Sequence, residues 1–366
     1  MTSCRPPADR PDLMEPKINQ LKRILIRSTN WLGDALLTTP AVHSIKTNCP
    51  DAELTVLARP GVAPIFEANP DVDRVIRYER PGRHGGPGGR LRLARSLKKE
   101  GFDGVVHFPH SFESAWISFL AGIPVRVGYA TEGRGWLLTH RRPLPRDFAR
   151  RHQVRTFAAL LSLLGIAADP QPHRDPLRLT IPDDWDGRTA TRLAALGLGE
   201  EELLVGLAPG AMYGAAKCWP LAAYLELAER LQREWQARVL FLGTAGDALA
   251  LGGTGDLNPE AGIDLMGKTS LGEALALIRR CRLLVVNDSG LMHAAAALHT
   301  PLVALFGSTS PERTGPWGGN SRVIWKRFPC GPCFKKTCPE PRFCLEAISV
   351  QEVWEAAEAL RWETGF

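Results

Sequence analysis

From Leu283 the chain reads Leu-Leu-Val-Val, Asn-Asp-Ser-Gly, Leu-Met-His-Ala-Ala-Ala-Ala-Leu, His-Thr-Pro and Leu-Val-Ala-Leu-Phe, ending at Gly307. Two apolar runs of strand length flank a polar turn and a helix of about two turns, the order of a parallel crossover unit. The runs are apolar throughout instead of alternating, which suits strands covered on both faces. This unit points to an α/β fold with helices on both sides of a parallel sheet. Its turn also carries chemistry. Asp288 or Ser289 can cap the helix, Gly290 lets a ligand approach the backbone, and unpaired amides at a helix start favour a phosphate. His293 lies four residues after Ser289, on the same face one turn further in, where it can donate to a phosphate oxygen. An ordinary strand-to-helix turn with a satisfied histidine would look the same.

The alternation of apolar runs and amphipathic stretches occurs twice along the chain, so two doubly wound units are expected. In the first, strands are expected at Arg23–Ser28, Leu54–Ala58, Arg74–Tyr78, Gly104–Phe108 and Val125–Gly128. In the second, they are expected at Leu204–Ala208, Arg238–Leu242, Ile263–Met266, Leu283–Val286 and Leu302–Phe306. The Gly- and Pro-rich stretch from Arg80 to Gly89 reads as a mobile loop, and four prolines between Asp169 and Asp186 break the alternation. The expected organisation is a flexible tail over 1–20, a first unit over 21–170, a linker over 171–186, a second unit over 187–348 and a terminal helix over 349–366.

At 366 residues, 44% hydrophobic and 23% charged, the chain has room for two well-buried domains. No apolar run reaches about 18 residues, so no membrane span is expected. The polar start, Met1 to Gln20, lacks the apolar core of a secretory signal, so the expected location is the cytoplasm. The formal charge of +6 is unevenly placed: between Arg77 and Arg155, sixteen Lys and Arg stand against six Asp and Glu. Such a surplus suits an acidic substrate or an anionic membrane surface, and equally a solvated arginine-rich face. Nucleic acid ranks low, because no aromatic-and-basic signature or helix-turn-helix pattern accompanies it.

In two-unit α/β proteins, ligands lie beyond the carboxyl ends of strands, which selects the residues just after them. After the first strand, Gly33 permits a tight turn and Asp34 opens a helix, as its cap or as a general base facing the interdomain cleft. The second unit opens with Pro209-Gly-Ala-Met-Tyr-Gly-Ala-Ala-Lys-Cys-Trp-Pro220, which lacks the Walker ending but offers Lys217 as a point charge for a diphosphate. Asp247 follows a strand where it could hold a ribose, and Thr269 sits in a turn that could line an adenine pocket.

Together these segments resemble the lipopolysaccharide heptosyltransferases of glycosyltransferase family 9, most of all the branch that adds the second heptose to the first. The motifs are Trp31-Leu-Gly-Asp34 with Thr39-Pro40, Ser111-Phe112, Leu120-Ala-Gly-Ile-Pro124, Pro209-Gly-Ala with Ala216-Lys217 and Trp219-Pro220, Gly267-Lys-Thr269, and Asn287-Asp-Ser-Gly-Leu-Met-His293 with Phe306-Gly307. The resemblance implies a GT-B fold, two Rossmann-like domains facing across a cleft, and an inverting transfer from ADP-heptose that needs no catalytic cofactor. It implies Asp34 as base, Lys217 as the phosphate-contacting lysine, and Asp288, Ser289, Gly290 and His293 as the donor loop. The implied acceptor is the phosphorylated lipid A core, reached at the inner membrane face. Arg59, Arg126 and Arg134 are the candidates for holding it. A terminal helix in such proteins commonly crosses back to the first domain.

Cys330, Cys333, Cys338 and Cys344 lie within fifteen residues with C-x2-C-x4-C-x5-C spacing, enough thiolates for one structural zinc or, alternatively, an iron–sulfur cluster. Two rival classes use part of these features. A nicotinamide-dependent oxidoreductase lacks its G-x-G-x-x-G after the first strand, and a zinc-bearing nucleic-acid binder leaves Asp34, Lys217 and the 288–293 turn without roles.

Overall fold

The computed structural model describes residues 20–250, 261–339 and 343–366. The tail expected over 1–20 lies outside the described residues except for its last residue, and Cys4 lies outside them too.

The first six strands are β1 (Arg23–Arg27), β2 (Glu53–Ala58), β3 (Arg74–Arg77), β4 (Gly104–His107), β5 (Val125–Tyr129) and β6 (His140–Arg142). They form one parallel sheet in the order β3-β2-β1-β4-β5-β6. The second sheet comprises β7 (Leu204–Ala208), β8 (Arg238–Phe241), β9 (Ile263–Asp264), β10 (Leu283–Asn287), β11 (Leu302–Phe306) and β12 (Ser321–Trp325). Its order is β12-β11-β10-β7-β8-β9, again parallel throughout. Read from the other edge, it repeats the first sheet's order.

Burial explains the unbroken apolar runs. Ile24 and Ile26 of β1 enter one core cluster, whereas Leu25 between them enters another with Leu93, Leu97 and Ile117. In β10, Leu284 and Val286 face the first of these clusters while Leu283 and Val285 face a third. Each strand is thus covered on both faces, and one cluster runs continuously through both units. The edge strands β6 and β12 escape sequence reading. His-Arg-Arg carries no apolar run, and Ser-Arg-Val-Ile-Trp is only half-buried.

Two expectations are corrected, those for the mobile loop and the terminal helix, and the linker proves ordered. Within the expected mobile loop 80–89 a helix already begins at Gly86 and continues to Glu100. Gly89 packs there so closely that an added Cβ would lie 2.5 Å from the His84 carbonyl carbon, so this glycine serves close approach. The residues around the expected linker are ordered on both sides. The Arg178 amide donates to Thr39 Oγ1 at 2.9 Å, and a helix from Asp183 to Ala195 starts with three aspartates in its first turn. The terminal helix Val350–Thr364 packs Val353, Trp354, Ala357 and Leu360 into the second sheet's outer cluster, against Trp235 and the helix Leu221–Trp235. It stays with the second unit.

Candidate active site

In each sheet the strand order reverses at one point, between β1 and β4 and between β7 and β10, leaving a crevice beyond the strand ends. These two crevices face each other. The helix Leu32–Leu37 follows β1 and the helix Gly290–Ala297 follows β10, and the two meet near their starts. Glycine makes the approach feasible from both sides. A Cβ on Gly33 would lie 2.6 Å from His293 Cδ2, and one on Gly290 would lie 2.8 Å from Leu32 Cβ.

On the first side, Asp34 sits in the first turn of its helix and accepts a hydrogen bond from Gln153 Nε2 at 3.0 Å. Burial raises its carboxyl above the ordinary range, and the Gln153 hydrogen bond, Arg313 and Lys217 oppose that shift while Asp288 adds to it. The groups of both units therefore act on one carboxylate. Asp34 is not a side-chain cap, since Trp31 occupies the cap position.

On the second side, Lys217 Nζ donates to Asp288 Oδ2 at 2.5 Å and lies 4.9 Å from the centre of the Tyr213 ring. Thr309 Oγ1 donates to the same Asp288 oxygen at 2.6 Å. Neither Asp288 nor Ser289 caps the helix Gly290–Ala297 with its side chain, correcting the capping expectation and leaving the helix start without a side-chain acceptor. His293 is buried, its Nδ1 has no partner, and burial pushes its pKa down to about 4, so the ring is neutral at pH 7. A neutral imidazole still donates one N–H.

Asn287 holds these parts in place. Its Nδ2 donates to the Pro209 carbonyl at 2.7 Å, while its Oδ1 accepts from the Trp219 amide at 3.1 Å and the Tyr224 hydroxyl at 3.2 Å. The end of β10 is thereby fastened to both ends of the loop that carries Lys217. Sequence reasoning missed Asn287, Gln153, Thr309 and Arg313. Asn287 ends a buried strand, where a polar side chain demands partners, and that was the available signal.

The other candidates separate. Asp247 Oδ2 accepts from the Thr244 amide at 2.8 Å and hydroxyl at 2.7 Å, and its carboxyl lies against Gly210 at the end of β7. Thr269 is half-buried in the turn before a helix capped by Ser270 and Glu273. Arg59 stands just after β2 with its Nε buried and unpartnered. Arg126 donates to the carbonyls of Leu137, at 2.6 Å, and Ile123, and its guanidinium lies over the Phe119 ring. Arg134 is fully buried. Its Nε donates to the Tyr129 carbonyl at 2.9 Å and its Nη1 to Ser114 Oγ at 2.9 Å, so it ties β5 to the helix Phe112–Leu120. Arg126 and Arg134 thus fasten the chain, with Arg134 Nη2 buried and left without a partner among the described residues.

The zinc expected at Cys330, Cys333, Cys338 and Cys344 finds no support. All four are free thiols, and among the described residues no group of three or more His, Cys, Asp or Glu is arranged to hold a metal. The segment instead buttresses the lysine loop. The Tyr213 hydroxyl donates to the Phe334 carbonyl at 2.6 Å, the Ala216 amide to the Lys336 carbonyl at 3.0 Å, and the Phe334 amide to the Ser308 carbonyl at 2.8 Å.

Two Rossmann-like units opposed at their switch points, with an acid on one wall and a lysine beside an uncapped helix start on the other, make this a glycosyltransferase of the GT-B architecture. Heptosyltransferase II from Escherichia coli has the same fold, with a TM-score of 0.80 and 32% identity over 94% of this chain and 100% of that one. A family 9 glycosyltransferase from Veillonella parvula matches with a TM-score of 0.83 and 25% identity over 93% and 98%. In sequence, lipopolysaccharide heptosyltransferase 2 of Salmonella typhimurium is 36% identical over 308 residues, 82% of this chain and 87% of its own. The model of glycosyltransferase family 9 (heptosyltransferase) matches residues 90–343. The chain belongs to that family.

Proposed function

We propose that this enzyme moves L-glycero-D-manno-heptose from ADP-heptose onto the inner core of lipopolysaccharide with inversion, adding the second heptose to the first. The observation that carries the reading is the partly buried Asp34 carboxylate opposite the Lys217–Asp288 pair and the open helix start. The step is a single displacement. Asp34 takes the proton of the accepting hydroxyl, whose oxygen attacks the anomeric carbon while ADP leaves. Lys217 and the amides at the start of the helix Gly290–Ala297 stabilise the charge gathering on the diphosphate, and His293 donates its one N–H to the same group. For this, Lys217 exchanges Asp288 for phosphate. Asp288 keeps Thr309 and turns its freed capacity to the heptose hydroxyls. Asp247 and Thr269 are assigned to ribose and adenine, and Arg59 to the acidic acceptor.

The branch assignment rests on relatives named heptosyltransferase 2. Among the described residues no helix is long and apolar enough to cross a membrane. We place the protein at the inner membrane face because its acceptor is a lipid. The test is transfer from ADP-heptose to lipid A bearing acidic sugars, with and without a first heptose. Product only from the heptose-bearing acceptor is the expected result, whereas transfer to the heptose-free acceptor alone would assign the chain to the first step.

A further inference from the structure

The transfer scheme leaves one cation of the cleft without a task. Arg313 lies on the short helix Pro311–Thr314 beyond β11 and reaches towards the first unit, where its guanidinium carbon sits 4.4 Å from the centre of the Phe148 ring. Phe334 approaches the same group from the second unit at 6.0 Å. Among the described residues the Arg313 guanidinium makes no hydrogen bond and no ion pair, and only its backbone amide is bonded, to the Ser310 carbonyl at 3.1 Å. The neighbouring Glu312 turns instead to Arg327 at 3.3 Å. Among the charges acting on Asp34, Arg313 outweighs Lys217. Burial pulls down the pKa of Arg313, with Asp34 and Tyr213 opposing.

A half-buried cation without a counter-ion is unfavourable, and an aromatic face offsets only part of that cost. The arrangement is one that an incoming anion would complete. The donor diphosphate already has Lys217 and the helix start on the second unit. Arg313 instead overhangs Phe148 of the first unit, beside the carboxylate that takes the acceptor's proton. A guanidinium stacked on a ring keeps its N–H edge free for two parallel bonds to a carboxylate or phosphate.

We propose that Arg313 is a specificity residue that binds an anionic group of the acceptor, carboxylate or phosphate, next to the accepting hydroxyl. The proposal rests on the transfer reading above and adds a contact from the donor-side unit to the acceptor.

The test compares the full-length wild type with R313K and R313A, using the natural acidic acceptor, its carboxyl methyl ester and its dephosphorylated form. ADP binding is titrated in parallel. R313A is expected to raise the KM for the acceptor at least tenfold, with the KM for ADP-heptose within twofold, and R313K to fall between. One of the two acceptor modifications should weaken the wild type by a similar factor yet leave R313A unaffected, and that arm identifies the group. An acceptor KM within twofold of wild type in R313A, a change in donor KM instead, or full additivity of both modifications would overturn the proposal. Unchanged ADP binding by R313K shows that the fold is intact. If the wild type binds ADP but transfers no heptose, the transfer reading fails and this proposal with it. If the wild type is active and R313A is indifferent, only the proposal fails.

Discussion

Asp34 is where the physics of a single residue is clearest. Its carboxyl is raised by burial, so it is ionised only above a pH higher than the ordinary value of about 3.9. Since the base must be ionised, kcat/KM is expected to fall with acidity at a pH above that value, measured as the acid limb of the pH–rate profile. Asp34→Asn removes the base and should lower kcat by about 10²–10⁴-fold. A raised folded pKa means that the native state holds the proton more tightly than the unfolded chain. Its stabilising contribution is therefore present at low pH and lost as the pH rises through the folded value. The asparagine, which mimics the protonated form, should leave the melting temperature at pH 7 no lower than wild type. Near-normal turnover together with a lowered melting temperature would make Asp34 a structural residue. Asp34, Lys217 and Asp288 were legible in the chain because each follows a strand, where the crevice at the strand ends and the helix starts lie. Arg126 and Arg134 were not interpretable, because arginine composition does not tell whether a guanidinium faces solvent or chain carbonyls.

At the scale of elements, the decisive contact is the meeting of the helices Leu32–Leu37 and Gly290–Ala297. Gly33→Ala must push His293 aside, since its Cβ would lie 2.6 Å from Cδ2, and overpacking of this kind costs about 1–3 kcal/mol. We expect kcat/KM to drop more than tenfold and, because the displaced His293 is the one assigned to the diphosphate, ADP binding to weaken with it. An unchanged kcat/KM would show that the helices need not meet so closely in the reacting state. Most helices and central strands were legible from their apolar periods, but β6 and β12 were not, because an edge strand needs little apolar surface. The cysteine segment is a different case. Its spacing suggests a metal, for which the structure gives no support, and its backbone carbonyls support the lysine loop through Tyr213 and Ala216, a role that spacing could not reveal.

For the molecule as a whole, two sheets with the same strand order bring two switch points together, so cationic groups of one unit act on the Asp34 carboxylate of the other, and in the proposed reaction both would act on one bond. Because Lys217 and the helix amides supply positive charge at the diphosphate, transfer is expected to keep its rate within about twofold in excess EDTA. Loss of activity under chelator, restored by magnesium, would replace that part of the scheme. By itself the sequence determined the two α/β units, their buried parallel strands, the strand-end residues with chemistry and the family resemblance. These are local or periodic properties, written in runs of neighbours and in motifs after strands. Only the tertiary structure decided that Lys217 pairs with Asp288, that Asn287 fastens the loop, that Arg134 is internal and that Arg313, whose guanidinium has no ion pair among the described residues, acts on Asp34. Those facts depend on groups distant in the chain meeting across a cleft, and desolvation there sets which charges find partners.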